Sequence, residues 1–121
     1  MSLPLSGLTM ANLKILYTEP PSDGRADMSV VVVGEIDLVT AAQLESALGE
    51  AVEGSRRGVN LDLSRVEFID ARGIGVIVEA RRRAAASGHE LVITAASKAV
   101  RRVVSLCDLD GLLFYRSDAG G

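Results

Sequence analysis

The sequence predicts an α/β fold: a small mixed β-sheet that starts with an N-terminal antiparallel hairpin and continues as parallel β-α-β units with packed helices. Three observations support it. The run MSVVVVGEI (28–36) is the unbroken β-branched stretch typical of a strand buried on both faces. The alternating VNLDL (59–63) predicts a strand with one less-covered face. Helical periodicity fills the stretches between the later strands, and strands that alternate with helices pair in parallel through right-handed crossovers.

The hairpin is predicted at the start of the chain. LKILY (13–17) indicates its first strand and MSVVVVGEI its second, and TEPPSDGRAD (18–27) between them is a loop of Pro, Gly, Ser and Asp. The opening MSLPLSGLTM (1–10) and the closing SDAGG (117–121) have few apolar periodic positions. We therefore expect both ends to be loose.

The first helix is predicted to begin at Thr40. A hydroxyl at Thr40 and an amide three residues later at Gln43 form a capping-box pattern, and apolar residues at helical spacing run on to Gly54. The strand VNLDL follows, with its apolar residues on one side and its polar residues on the other.

The second half of the chain repeats this alternation. A helix is predicted from Arg72 to Ser87 with Gly88 as its stop, and ELVIT (90–94) is the next strand. Ser97 is predicted to cap a third helix. LLFY (112–115) is expected to close the domain as a last strand or turn.

Composition excludes several function classes. The chain has 121 residues, of which 48% are apolar and 24% charged, which predicts one domain over 1–121 with a core of about 12–116. Its net charge of -3 and its 3% of aromatic residues offer neither a basic field nor stacking platforms, so we expect no nucleic-acid partner. With one cysteine and no long apolar run, it is expected to be cytoplasmic and not inserted in a membrane.

The candidate working surface lies in the strand-to-helix loops GEIDLVT, FIDARG and AASK, because ligands of open α/β sheets bind beyond the carboxyl ends of the strands. Asp70 and Asp37 could act as general acids or bases, but an aspartate just before a helix is more often its N-cap. Gly73 and Gly75 lack the third glycine of a dinucleotide fingerprint. This spacing more plausibly lets another backbone come close, either within the domain or from a partner.

The other reactive residue types favour plain structural roles. His89 has no Cys or His at ligand spacing and is interpreted as a solvated turn residue. Cys107 lies on an apolar stripe with no histidine in sequence reach, so we interpret it as a small core residue. The arginines 81–83 are the ordinary complement to a helix C-terminus, with an acidic partner as the alternative. No catalytic residue, metal or cofactor is expected.

Two stretches between about Val30 and Tyr115 carry a family resemblance: VVVGEIDLVTAAQLESAL and VNLDLSRVEFIDARGIGVIVEARRRAAASGHELVITAASKAVRRVVSLCDLDGLLFY. Their order, G-E-I-D, then VNLDLSRVEFID, then a glycine-spaced helix start, resembles the STAS domain of the bacterial anti-sigma-factor antagonist group. The resemblance implies a non-enzymatic, partner-switching protein. Such a protein binds an anti-sigma factor, often a serine kinase with an ATPase fold, and so releases a sigma factor for transcription.

In that family the residue after the motif aspartate is usually serine or threonine, and its phosphorylation abolishes binding. Here that position is Ala71, and Arg72 follows where serine is common. A phosphate would bring about -1.5 to -2 charge beside Asp70, and alanine cannot receive it. The sequence thus predicts a docking corner without the usual switch. The residues expected to contact the partner are Asp37, Thr40, Asp70, Ala71, Arg72, Gly73 and Gly75.

Other functions stay open at this stage. The chain could be a constitutively binding antagonist, or a scaffold or subunit of a larger complex such as a stressosome-like particle or a lipid-transport ABC assembly. A STAS module that senses a nucleotide or another small ligand would need a concave site between the loops at 37–40 and 68–75. A free edge strand beside the hairpin allows either a monomer or a weak homodimer.

Overall fold

The computed structural model describes residues 7–10, 13–18, 28–109 and 111. It contains one five-stranded sheet with the strands in sequence order, and three helices among these residues. In chain order the elements are β1 Gly7–Met10, β2 Leu13–Thr18, β3 Met28–Ile36, α1 Ala41–Gly54, β4 Gly58–Ile69, α2 Ala71–Ala86, β5 Glu90–Ala96 and α3 Lys98–Leu106.

The strand pairing confirms the predicted mixed sheet. β2 pairs antiparallel with β3, while β3 with β4 and β4 with β5 are parallel. An unpredicted strand, β1, pairs antiparallel with β2. The expectation that the opening is loose is therefore wrong for residues 7–10. Four residues are too short to show a periodicity, and this strand is defined by backbone pairing to its neighbour.

The core lies between one face of the sheet and the helices. Buried residues alternate with more exposed ones in parts of β2 and β3 and, as the alternation in VNLDL predicted, in the first half of β4: they are Leu13, Ile15, Val30, Val32, Val59, Leu61 and Leu63. Against them pack the apolar faces of the helices, including Leu44 and Leu48 of α1 and Ile74 and Ile77 of α2. Within the described residues, no helix is both long enough and apolar enough to cross a membrane.

β4 is longer than predicted. The sequence indicated a strand over 59–63 followed by a loop at FIDARG, but β4 continues to Ile69. Beyond Leu63 the buried residues are Val66 and Ile69, each separated from the previous one by two exposed positions. The period of two is lost because the pairing with β3 has register shifts after Val31 and after Gly34. The second half of β4 thus extends past β5, which pairs only up to Leu63.

Helix starts follow the predictions closely. Asp70 and Ser97 are the N-caps of α2 and α3, and their side chains accept hydrogen bonds from the backbone N–H groups of Gly73 and Val100. α2 ends before Gly88, which has a φ of +82° and so takes the left-handed conformation of a helix stop. The predicted terminal element at 112–115, the loop at 19–27 and the ends at 1–6 and 117–121 lie outside the described residues.

Two residue interpretations need correction. Cys107 is exposed as the C-cap of α3, one residue past the helix end at Leu106, whereas Val100 and Val104 of the same apolar stripe are buried. His89 is not a solvated turn residue: it is half-buried, with Nε2 3.2 Å from the carbonyl oxygen of Ser55. Its Nδ1 is buried without a hydrogen-bond partner.

Candidate functional site

The two predicted corners are neighbours at the carboxyl edge of the sheet. The loop at 37–40 follows β3 and the corner at 70–72 follows β4, and these strands are paired up to Ile36 and Ile69. The backbone N–H of Asp70 donates to the carbonyl of Ile36 at 3.3 Å. This bond joins the last residue of β3 to the N-cap of α2.

In the loop after β3, Asp37 and Thr40 bind each other. Oδ1 of Asp37 accepts from the N–H groups of Val39 at 2.9 Å and Thr40 at 3.0 Å. The N–H of Asp37 in turn donates to Oγ1 of Thr40 at 2.9 Å. Chiefly because of the hydrogen bond from the Thr40 backbone, the pKa of Asp37 is lowered from its usual range, although partial desolvation opposes this effect. The carboxylate of Asp37 therefore stabilises the conformation of its own loop.

Thr40 differs from the prediction in its hydrogen bonds. Its side chain makes no capping bond to α1, so the predicted capping box is wrong. Oγ1 instead lies 2.9 Å from the carbonyl oxygen of Glu35 and 3.2 Å from the Asp37 carboxylate, and its single proton can serve only one of them at a time. Thr40 is also only 1% exposed, so its side chain supports the loop from inside, and its predicted contact with a partner stays a prediction.

The corner after β4 is fixed by Asp70 and Gly73. Oδ1 of Asp70 accepts from the N–H of Gly73 at 3.0 Å, which caps α2 as predicted. A Cβ at Gly73 would lie 2.5 Å from Cγ2 of Ile36 and 2.9 Å from Cγ1 of Ile69. Gly73 is buried, so it supports the corner from inside, and its predicted contact with a partner stays a prediction. Its lack of a side chain lets α2 start against the ends of β3 and β4.

Gly75 has a different environment. A Cβ at this position would meet no atom within 4 Å, and the residue is exposed. The sequence left open whether the two glycines allow a close approach within the domain or from a partner, and the structure gives the two residues different surroundings. Gly73 serves a close approach inside the domain, whereas nothing inside the domain requires glycine at position 75.

Ala71 and Arg72 are exposed on the first turn of α2. In the part of the chain that the structure describes, the Arg72 guanidinium has no hydrogen-bond or ion-pair partner. Arg82 and Arg83 differ, since both bind Glu79, at 2.6 Å and 3.2 Å. These bonds, above all the one from Arg82, lower the pKa of Glu79.

Three exposed apolar side chains lie at the same edge and were missed in the sequence. Leu38 is 66% exposed, Val39 70% and Phe68 48%. Leu38 and Val39 stand between Asp37 and Thr40, whose mutual bonds hold the loop that presents them. Phe68 pairs with Glu35 of β3, directly before the corner. The available signal was two consecutive apolar residues in a segment with neither strand nor helix period.

A groove of about 410 Å³ opens between the starts of α1 and α2. Leu38 and Glu45 line it on the α1 side, and Arg72, Gly75, Val76 and Glu79 on the α2 side. A smaller groove of about 140 Å³ continues between the two helices and passes Gly49 and Val52. The groove of about 410 Å³ includes Leu38 of the loop at 37–40 and both Arg72 and Gly75 of the segment at 68–75, so a concave site is present where a nucleotide-sensing module was expected to have it.

The groups at this edge of the sheet are suited to binding another molecule. No group of three or more His, Cys, Asp or Glu residues suited to hold a metal ion occurs among the described residues. Both aspartates of the site are engaged in bonds to backbone N–H groups. Beside these aspartates the edge offers apolar surface, the Arg72 guanidinium and the open backbone at Gly75 to another molecule.

Comparison with known proteins gives a consistent result. A family model described as Mlab, STAS domain, matches residues 22–114. The anti-sigma-F factor antagonist RsfB of Mycobacterium tuberculosis is 36% identical over 96 residues, which are 79% of this chain and 76% of that protein. The anti-sigma-B factor antagonist of Staphylococcus aureus is 27% identical over 69% of this chain and 78% of its own.

A solved structure agrees with the sequence matches. The crystal structure of an anti-sigma factor antagonist from Mycobacterium paratuberculosis is similar with a TM-score of 0.66 and 32% sequence identity, over 82% of each chain.

Proposed function

Because this chain belongs to the STAS domain family, we propose that it is an anti-sigma-factor antagonist, a regulatory protein that binds an anti-sigma factor and thereby releases a sigma factor for transcription. The observation that carries the proposal is the surface at the carboxyl edge of the sheet. There a chain similar to named antagonists exposes Leu38, Val39 and Phe68 beside Arg72, whose guanidinium has no partner among the described residues.

The surface has the composition of an interface. The centre of a protein interface is apolar and depleted of charge, while arginine is enriched there relative to other charged residues. Leu38 and Val39 are held outward by the bonded Asp37–Thr40 pair, so they keep their positions without a partner. In this proposal Asp37, Asp70, Ala71, Arg72 and Gly75 contact the anti-sigma factor, with Thr40 and Gly73 supporting them from below.

The absence of a hydroxyl at position 71 means that this antagonist is not switched off there by phosphorylation. Thr40, in the loop after β3, is buried and already hydrogen-bonded, which keeps it from a kinase. Ser64 is exposed on β4, where its hydroxyl donates to Asp62 at 2.6 Å. Any control by phosphate would therefore act away from the corner, and its effect on docking would be weaker.

The proposed protein works by binding and not by catalysis. At the described corners both carboxylates are used as acceptors of backbone hydrogen bonds, and the free groups carry no nucleophile. We propose an anti-sigma factor with a kinase-like ATPase fold as the partner, and a cytoplasmic location where it would meet that partner.

The test is direct binding to the anti-sigma factors of the same organism. The purified chain would be titrated against each purified anti-sigma factor that has a kinase-like ATPase domain, and binding measured by calorimetry. The expected result is one complex with a dissociation constant in the micromolar range or tighter. Its formation should release the sigma factor in a competition assay.

A Leu38→Asp, Val39→Asp double variant is the matched negative control, because it removes exposed apolar surface without touching the core. It should keep the wild-type melting temperature and lose binding. If wild type binds none of these factors and instead sediments in its cell extract as part of a large particle, the antagonist proposal is wrong. A subunit role in an assembly would then stand.

A further inference from the structure

Gly75 is a glycine that the fold does not need. It lies inside α2, where glycine lowers helix stability, and apart from the backbone of its own helix a Cβ there would meet no atom of the described residues within 4 Å. Gly73, two residues earlier, is required by its contacts with Ile36 and Ile69. Gly49 of α1 is open in the same way. Of the two, Gly75 lines the groove that also contains Arg72, and there the missing side chain leaves room for a close approach from outside.

Arg72 is a charge that the fold does not use. It stands in the first turn of α2, where the positive end of the helix dipole disfavours a cation. Among the described residues no acidic group pairs with it. A carboxylate on another molecule would relieve this arrangement and would also meet the helix N-terminus.

The charges of the groove fix where that carboxylate lies. Glu79 is already paired with Arg82 and Arg83, so its charge is compensated within α2. Glu45 on the opposite wall is exposed and has no bonded cation in the described part of the chain. An incoming carboxylate is therefore attracted to the Arg72 end of the α2 wall and repelled from the α1 wall.

Resting on the proposed function, we propose that the groove between the starts of α1 and α2 receives a segment of the anti-sigma factor that presents an apolar side chain followed by a carboxylate. The apolar side chain packs on Leu38 and Val76, the carboxylate pairs with Arg72, and the segment passes Gly75 at a distance that leaves no room for a methyl group.

Two glycine variants isolate the close approach. Gly75→Ala and Gly49→Ala both add a methyl group that touches nothing inside the protein, and both lie in helix interiors. Each should raise the melting temperature, by about 2–5 °C. Only Gly75→Ala should weaken binding to the anti-sigma factor, about tenfold, because Gly49 lies further along the helices, in the smaller groove.

Two charge reversals isolate the carboxylate. Arg72→Glu should weaken binding about tenfold or more at low salt, with the deficit shrinking as salt is added. Arg102→Glu, on the exposed side of α3, changes the net charge by the same amount and should leave the affinity within about twofold.

The possible results distinguish the proposed antagonist function from the proposed mode of binding in the groove. If wild type binds no anti-sigma factor, the proposed function fails and this inference falls with it. If wild type binds and Arg72→Glu binds equally well, the partner presents no carboxylate there and only this inference is overturned. Equal weakening by Gly49→Ala and Gly75→Ala also overturns it, since the contact would not then be centred on the Arg72 end.

Discussion

The two loop-to-helix junctions at the carboxyl edge of the sheet each contain an aspartate, and in each the carboxylate accepts hydrogen bonds from nearby backbone N–H groups. Asp37 accepts bonds from the backbone of its own loop, and Asp70 accepts one from Gly73 at the start of α2. What faces outward differs: the first junction exposes Leu38 and Val39, and the second exposes Ala71 and Arg72. In both junctions the aspartate stabilises the backbone through hydrogen bonds. The exposed surface is formed by the neighbouring residues, whose side chains make no such bonds.

The same division separates the two glycines of the second junction. Gly73 is compressed between Ile36 and Ile69, and Gly75 faces open space. Substitutions at supporting positions should therefore change stability, whereas substitutions at outward positions should change binding alone. The supporting half of this comparison consists of Asp37, Thr40, Asp70 and Gly73, which hold the backbone of the two junctions. Changes at these four residues should lower stability by different amounts.

The largest effect is expected for Gly73→Ala. Its Cβ would lie 2.5 Å from a buried branch of Ile36, so the ends of β3 and β4 must shift. We expect the free energy of unfolding to fall by about 1–3 kcal/mol, as for other overpacked cores. Urea denaturation measures it, with Gly75→Ala as control. Equal stability of the two variants would remove the distinction between the glycines.

Thr40→Val should be the next in size. The isosteric change deletes the hydroxyl that accepts from the Asp37 N–H and leaves buried groups unpaired. The expected loss is about 1–2 kcal/mol of unfolding free energy. Thr18→Val, at an exposed position of β2, is the control and should stay within about 0.5 kcal/mol of wild type. A silent Thr40→Val would mean that the loop does not depend on this hydroxyl.

Asp70→Ala removes the cap of α2 and should cost about 1 kcal/mol. Asp70→Asn keeps an acceptor oxygen for the Gly73 N–H and should retain most of the stability, so the pair separates capping from charge. Thermal unfolding of both variants checks this. If the asparagine variant loses as much as the alanine variant, the charge and not the hydrogen bond holds the corner.

The smallest effect is the pH dependence that Asp37 contributes. Its pKa is lowered in the folded state, so its stabilising contribution is complete above the unfolded pKa of about 3.9 and is lost as the pH falls through the folded pKa. The melting temperatures of wild type and Asp37→Asn should therefore differ most near neutral pH and converge as the pH falls below about 3.9 and through the folded pKa. A difference that stays constant from pH 6 to pH 2 would contradict the bonded carboxylate.

The helix caps and the burial pattern of the strands could largely be predicted from the sequence, because both depend on residues that are close together in the chain. Asp70 precedes a helical pattern, Ser97 does the same, and VNLDL alternates. The length of β4 could not be predicted, since register shifts with β3 replace its period of two with a spacing of three. Cys107 had the right spacing for the core, but α3 ends one residue before it and the cysteine is exposed.

The outward half left weaker signals. Leu38 and Val39 belong to no periodic segment, so their exposure depends on bonds between Asp37 and Thr40 that only coordinates display. The two glycines look alike in the sequence, and their different roles follow from where Ile36 and Ile69 end. Whether Arg72 has an acidic partner likewise depends on the positions of the acidic side chains in space, and the order of residues in the sequence does not give these positions.

The bonded pair at the base of the first junction has a kinetic consequence. Because Leu38 and Val39 are held in place before any encounter, docking would freeze few additional backbone torsions in that loop. The rate of association should then depend mainly on how fast two rigid faces find each other and little on a slow rearrangement after contact. A sigma factor released by such a face would respond on the timescale of diffusion, with the lifetime of the complex setting how long the response lasts.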